Sequence, residues 1–134
     1  MNYWLIKSEP FKYSFDQLMR DKKTFWDGVR NYQARNFLRA MQVGDLALYY
    51  HSNEGKEIVG VAQVIKAAYR DPTATEGDWS VVDVKPIKKI THPVSLEQIK
   101  TEPKLAGMLL IKQSRLSVMP VSKQDFELLV KMGA

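Results

Sequence analysis

The alternation of apolar and polar residues predicts strands along much of the chain. Tyr3–Ser8 alternates and stops before Pro10, which indicates a first strand. The apolar runs Leu46–Ser52 and Glu57–Ala67 flank a turn-forming segment and predict a β-hairpin. Gly60 lies inside the second run, where a glycine indicates a bulge or a close backbone approach. The same pattern predicts two further strands, Trp79–Ile90 and Leu116–Val121.

Helix starts are recognisable from capping residues. Ser14–Gln17 and Ser95–Gln98 both have the capping-box spacing, and Ser122 precedes a C-terminal amphipathic run. Asn31 is a good N-cap for a helix that ends before Gly44. The apolar residues of that helix recur at helical spacing and predict a core-facing stripe: Ala34, Phe37, Leu38 and Met41.

These elements together predict an α+β fold. About five or six strands and four short helices are mixed along the chain, and most neighbouring strands look antiparallel. A sheet of this size usually closes on itself to protect its edges. We therefore expect a single domain over residues 1–134, a small and partly open β-barrel flanked by short helices. The polar segment Arg70–Asp78 is expected to be a mobile loop.

Composition narrows the possible functions. The 134 residues include no cysteine and two histidines, which excludes disulfides, thiolate chemistry and a cysteine-rich zinc site. The net charge of +5 permits a polyanionic partner, but is also compatible with an ordinary lysine-rich surface. No secretory signal and no apolar run of the ~20 residues that a membrane span needs is recognisable. We therefore expect a protein without membrane contact, in the cytoplasm or on the nucleoid.

The segment Phe25–Asp45 combines a tryptophan with several arginines. Trp26 lies beside an Asp27-Gly28 turn signal, and Arg35 and Arg39 share one face of the following helix. Aromatic rings stack on extruded or single-stranded bases with about 1–3 kcal/mol per base, and arginines contact phosphates. The pattern is therefore compatible with a nucleic-acid partner, although the tryptophans could equally be ordinary core residues.

Two catalytic alternatives can be weighed from the same residues. His51 and Ser52 are adjacent on a strand and point to opposite faces, so they are poorly placed as a base and nucleophile. Asp83 and Lys85 share a strand face and, with an upstream aspartate such as Asp71 or Asp78, could hold Mg²⁺ in a nuclease. The same spacing is typical of a solvent-facing strand. No glycine-rich phosphate loop is present.

Five separated segments of the chain resemble the motifs of one family. In chain order they are Tyr3–Pro10, Trp26–Asn36, Gly44–Ser52, Trp79–Val84 and Ser114–Val121. Their sequence and order resemble the EVE domain over nearly the whole chain. The resemblance implies a PUA-like fold related to the YTH and ASCH domains, which agrees with the barrel expected above.

The resemblance also implies a function. EVE domains are regarded as readers of modified bases, with 5-methylcytosine and its oxidised forms in DNA as proposed ligands. We therefore expect a monomeric, non-catalytic module, with no cofactor and no metal, that binds a modified base of DNA or RNA in an aromatic pocket. Three alternatives stay open: a PUA-like protein that binds structured RNA, a metal-dependent nuclease or base-processing enzyme, and a module that binds a small molecule or a peptide.

The resemblance further assigns roles to residues around a pocket between the barrel and the helix after Trp26. Trp26 would be a stacking wall and Trp79 a second wall or lid, while Tyr49 and Ser52 would line the floor and Asn31 would bind a base edge. The remaining expected ligand contacts are Ser8, Ser114 and Arg115. The expected phosphate contacts are Lys7, Arg30, Arg35 and Arg39.

Overall fold

The computed structural model describes residues 1–134 and has the mixed α+β architecture that the pattern predicts. The six strands are β1 Tyr3–Ser8, β2 Thr24–Phe25, β3 Leu46–His51, β4 Glu57–Arg70, β5 Ser80–Ser95 and β6 Val118–Val121. The five helices are α1 Phe15–Asp21, α2 Tyr32–Ala40, α3 Leu96–Thr101, α4 Leu109–Lys112 and α5 Lys123–Met132, with a 3₁₀ turn at Pro103–Leu105. The short elements β2 and α4 and the 3₁₀ turn were not predicted from the sequence. None of the helices is long and apolar enough to cross a membrane.

All six strands belong to one sheet, in the order β2-β5-β4-β3-β1-β6. Every neighbouring pair is antiparallel except β1 and β3, which run parallel. A parallel pair needs a crossover connection, and α1, β2 and α2 supply it. The predicted mostly antiparallel sheet is confirmed, but its hydrogen bonding does not close, because β2 and β6 lie at opposite edges.

The central strands are buried on both faces. Trp4, Leu5 and Ile6 of β1 and the four consecutive residues Ala47–Tyr50 of β3 are all buried. Successive strand residues point to opposite faces, so unbroken burial means that both faces of these strands are covered. Apolar alternation along β3 therefore carries no information about which side chains line a cleft and which belong to the core.

The predicted helix starts are confirmed. The side chains of Ser14, Asn31 and Ser122 each accept a hydrogen bond from a backbone N–H three residues later, at 2.9–3.1 Å. Ser95 and Gln98 form the complete reciprocal capping box. On α2 the predicted stripe packs inward, with Ala34 and Leu38 fully buried.

Gly60 is the point where α1 meets the sheet. The β3–β4 register shifts opposite this residue, and the ring of Phe15 occupies the space in which a Cβ of Gly60 would lie. The predicted bulge is confirmed, and the group that comes close to the strand backbone at Gly60 is the Phe15 side chain.

The segment after β4 is anchored at both ends. Asp71 is fully buried, and its carboxylate accepts hydrogen bonds from Gly28 and Thr73. At the far end, Arg35 and Arg39 both donate to the carbonyl oxygen of Asp78, at 3.2 Å. These contacts tie the two ends of the segment to Gly28 and to α2, while its mobility stays a prediction.

Candidate functional site

A cleft of about 570 Å³ opens at one end of the sheet, beside the carboxyl ends of β1 and β3. Because these strands are parallel, their carboxyl ends lie side by side, and the Ser52 N–H donates to the Ser8 carbonyl at 3.0 Å. Strand β6 runs antiparallel to β1, so the residues that precede β6 lie at the same end of the sheet. The cleft is therefore lined by the serines at both strand ends and by Ser114, Arg115 and Ser117.

The opposite wall is the segment Trp26–Arg30, between β2 and α2. The Trp26 N–H donates to the Val82 carbonyl at 2.8 Å, which extends the pairing of β2 onto β5 and fixes the backbone. The Trp26 ring is only 7% exposed and packs edge-on against Tyr49, with ring centroids 5.3 Å apart. Trp26 is thus a mostly buried core residue that also lines the cleft.

The turn that follows Trp26 is held by a buried carboxylate. Gly28 has φ +77°, a conformation that favours glycine, and its N–H donates to Asp71 Oδ2 at 3.0 Å. The Arg30 guanidinium donates to the same oxygen at 3.0 Å. Burial alone would raise the pKa of Asp71, but hydrogen bonds from Thr73, Arg30 and Gly28 lower it to about 2. An ionised Asp71 therefore fixes Arg30 at the mouth of the cleft.

The cleft has a positive charge balance. The charged residues that line it are four cations and two acids: Lys7, Lys12, Arg30, Arg115, Glu9 and Asp27. The Lys7 ammonium donates to the Ser114 carbonyl at 2.9 Å, and burial lowers the pKa of Lys7. An ammonium that makes a single protein hydrogen bond keeps further donors for a ligand. A cleft with an indole wall, serine hydroxyls and excess cations suits a flat, anionic ligand.

The cleft brings together most of the side chains that the sequence analysis singled out. These are Lys7, Ser8, Trp26, Arg30, Ser52, Ser114 and Arg115. They come from four separate parts of the chain, and the parallel β1–β3 pair is what unites them.

Tyr49 does not line the floor of the cleft, so this expectation is corrected. Its side chain is 0% exposed and lies behind Trp26, and its hydroxyl donates to the Tyr13 carbonyl at 2.6 Å. Burial raises the pKa of Tyr49 above its usual value. Tyr49 supports the indole from the core instead of meeting a ligand.

Asn31 also lies outside the main cleft. Its side-chain carbonyl accepts the Ala34 N–H at 2.9 Å, so the oxygen that would accept from a base edge is used to cap α2. The residue lines a smaller neighbouring cleft of about 320 Å³, to which Ser114 and Arg115 also contribute.

Trp79, Arg35 and Arg39 form a separate surface on α2 and the segment before β5. Trp79 is not a wall or lid of the cleft, because its ring stacks on Tyr32 with centroids 5.1 Å apart and planes 22° apart. The Arg35 guanidinium lies 5.0 Å from the centroid of the Tyr32 ring. Arg39 makes an ion pair with Asp78 at 2.8 Å. None of the three residues lines the cleft, and their expected roles in ligand binding stay predictions.

The structure does not bring together the side chains that either catalytic alternative requires. His51 Nε2 accepts the Phe15 N–H at 3.1 Å, whereas Ser52 faces the cleft, so the two do not form a nucleophile–base pair. Asp83 accepts a hydrogen bond from the Tyr69 hydroxyl at 2.5 Å, and neither Asp83 nor Lys85 lines the cleft. No group of three or more histidine or carboxylate side chains is close enough together to hold a metal ion.

Several lining residues were missed by the sequence analysis. They are Glu9, Lys12, Tyr13, Thr24, Phe25, Asp27, Gly28, Val29 and Ser117. Most of them flank residues that were identified, so a wider window around each motif would have included them. Asp71 was considered only as a metal ligand, and no local pattern indicates its contact with Arg30, 41 residues away.

Comparison with known proteins agrees with this architecture. The family model for the EVE domain matches residues 2–132. Mouse thymocyte nuclear protein 1 is 38% identical over 165 residues, covering 98% of this chain and 73% of that protein. A crystal structure of a protein of Agrobacterium tumefaciens is 43% identical with a TM-score of 0.96, covering 100% of this chain and 94% of that chain. The crystal structure of human THYN1 protein in complex with 5-methylcytosine containing DNA is 33% identical with a TM-score of 0.91, covering 99% and 98%.

Proposed function

The chain belongs to the EVE domain family, and from this premise we propose that it binds nucleic acid as a non-catalytic reader of a modified base. The proposed ligand is a methylated or oxidised cytosine in DNA, held in the cleft at the ends of β1 and β3. The observation that supports the proposal is a cleft lined by Trp26, by Ser8 and Ser52, and by more cations than acids. The likeness to a human protein solved with 5-methylcytosine containing DNA supports the same ligand class.

Each part of the cleft suits one part of a nucleotide. The Trp26 indole would stack on the base that enters the cleft. This base has to be extruded, because a base that is stacked in a duplex cannot reach such a cleft. The hydroxyls of Ser8 and Ser52 can each donate or accept, which suits the hydrogen-bonding edge of a base. Arg30 and Arg115 lie at the mouth, where charge-assisted bonds to phosphate are favourable.

The discrimination between cytosine and 5-methylcytosine is expected to be modest. One buried methyl group contributes about 0.8 kcal/mol, which corresponds to about a fourfold difference in affinity. The electrostatic part of the binding is the same for any nucleic acid and falls steeply with salt. The preference for the methylated base therefore has to be measured at a salt concentration at which this electrostatic binding is weak.

The test is tryptophan fluorescence quenching at ~150 mM salt, where the electrostatic background is reduced. Matched DNA and RNA oligonucleotides, with and without methylated cytosine, are titrated into the wild type and into two charge-matched variants. Arg115→Gln removes a cation that lines the cleft, and Lys104→Gln removes an exposed cation elsewhere. The proposal predicts tightest binding to methylated DNA and a loss of affinity for Arg115→Gln alone.

Other outcomes would redirect the assignment. Weak binding of equal strength to every oligonucleotide, reduced alike in both variants, would mean that the basic charge is only a solvated surface. A preference for folded RNA would mean that the ligand of the cleft is a structured RNA. Mg²⁺-dependent cleavage of any oligonucleotide, lost in Asp83→Asn, would overturn the non-catalytic assignment.

A further inference from the structure

We propose that Tyr32, Trp79 and Arg35, named here the stacking platform, form a second site that binds the nucleotide next to the base held in the cleft. The inference rests on the function proposed above and extends it from a single base to a short segment of strand. Its ligand is an unpaired nucleobase together with the adjoining phosphate.

The platform is an aromatic surface whose outermost residue, Tyr32, is largely exposed. Tyr32 is the first residue of α2 and is 67% exposed, although its ring is large and apolar. One side of the ring stacks on Trp79, with centroids 5.1 Å apart and planes 22° apart. Exposed apolar rings of this kind are the usual contact for unpaired bases, because every base has a π-face.

The indole of Trp79 is held in place by its packing against Gly77. A Cβ at Gly77 would lie 2.6 Å from Trp79 Nε1, so the indole packs closely against the backbone of that residue. Gly77 has φ +86°, which reinforces the need for glycine there. The platform is therefore built before any ligand arrives, and a base that stacks on it does not have to order these rings.

Cations surround the rings. The Arg35 guanidinium lies 5.0 Å from the Tyr32 centroid and 5.9 Å from that of Trp79. Its position is fixed by a hydrogen bond to the Asp78 carbonyl at 3.2 Å. The nearby Asp78 carboxylate is already paired with Arg39. The surface thus combines a stacking face with positive charge, the two features that single-stranded nucleic acid needs.

Arg30 joins the platform to the cleft. Its guanidinium lines the cleft and also lies 5.6 Å from the Trp79 ring centroid. Arg30 therefore borders both sites, as a residue between two neighbouring nucleotides of one strand would. When one base is extruded into the cleft, its neighbour loses a stacking partner. The platform offers that neighbouring base a replacement for the lost stacking partner.

The experiment compares two ligands at ~150 mM salt. One is a short single-stranded DNA with a central 5-methylcytosine, and the other is the same strand with abasic sites on both sides of it. Both keep all phosphates, so the difference in affinity reports the flanking bases alone. Each is titrated by calorimetry into the wild type, Tyr32→Ala and Tyr32→Phe. Tyr32→Phe is the control that keeps the ring.

The proposal predicts that the wild type binds the intact strand about 5- to 150-fold more tightly than the abasic one. Tyr32→Phe should keep this ratio, and Tyr32→Ala should lose it while binding the abasic strand like the wild type. Equal losses on both ligands, or no loss on either, would overturn the platform. A wild type that binds neither ligand would instead overturn the function proposed for the cleft. Thermal melting of each variant separates these outcomes from misfolding, which the exposure of Tyr32 disfavours.

Discussion

The Arg30 guanidinium lies 3.0 Å from the carboxylate of Asp71, a residue 41 positions further along the chain that has no exposed surface. This contact joins the segment after β4 to the wall of the cleft. The same carboxylate accepts the Gly28 N–H, so one buried charge fixes both the turn after Trp26 and the cation at the cleft mouth.

Asp71→Asn should destabilise the protein and weaken its binding to DNA. Both carboxylate oxygens of Asp71 accept hydrogen bonds, one from Thr73 and the other from Gly28 and Arg30. An asparagine must direct its NH₂ group toward one of these donor pairs. We expect a loss of about 1.5–3 kcal/mol in the free energy of unfolding, measured in urea. Asp78→Asn is the control with the same change in charge at an exposed site, and it should change stability little. Equal effects of the two substitutions would contradict the anchoring role.

Asp71 should also make stability depend on pH in the acid range. Its folded-state pKa of about 2 lies below the usual value of 3.8. A depressed pKa stabilises the fold above the usual pKa, and this contribution disappears as the pH falls from about 4 to about 2. Its size is about 2 kcal/mol. Urea unfolding of the wild type and Asp71→Asn from pH 7 to pH 2 should show their difference shrinking by this amount at low pH. A difference that is constant across this range would refute the assigned pKa.

Gly60→Ala tests the packing of α1 on the sheet. The added methyl group would overlap the ring of Phe15, so the ring or the strand has to move. Overpacking of this kind costs about 1–3 kcal/mol in the free energy of unfolding. Gly107→Ala is the matched control, because a Cβ there meets no atom within 4 Å. The urea midpoint should fall for the first variant and stay constant or rise slightly for the second. Similar midpoints for the two variants would show that the Phe15 ring is free to shift.

The parts of the fold that follow from local spacing could be predicted from the sequence. The cap at Asn31 and the buried stripe of α2 depend on residues three or four positions apart. The same holds for the hairpin of β3 and β4 and for the bulge at Gly60. The strand β2 was not predicted, because two residues are too few to show an alternation of apolar and polar positions.

The site could be predicted only in part, because its composition depends on contacts between distant segments. Trp79 joins Tyr32 because the segment after β4 folds back onto α2, and no pattern within either segment indicates this. Tyr49 and Trp26 are both large aromatic residues of the family motifs. Only the structure shows that one is wholly enclosed while the other reaches the cleft.

Trp26 is therefore a residue at which folding and binding have to be separated. With 7% exposure and an edge-on contact to Tyr49, truncation to alanine should cost about 3–5 kcal/mol in the free energy of unfolding. A loss of binding in Trp26→Ala would thus not identify the ligand wall, since the variant could simply be unfolded. Trp26→Phe keeps a ring against Tyr49 but presents a smaller face to the cleft. We expect this variant to melt cooperatively and to bind methylated DNA about fivefold more weakly, the lower end of the range for a lost base stack. A folded Trp26→Phe that binds like the wild type would make the indole a core residue with no part in recognition.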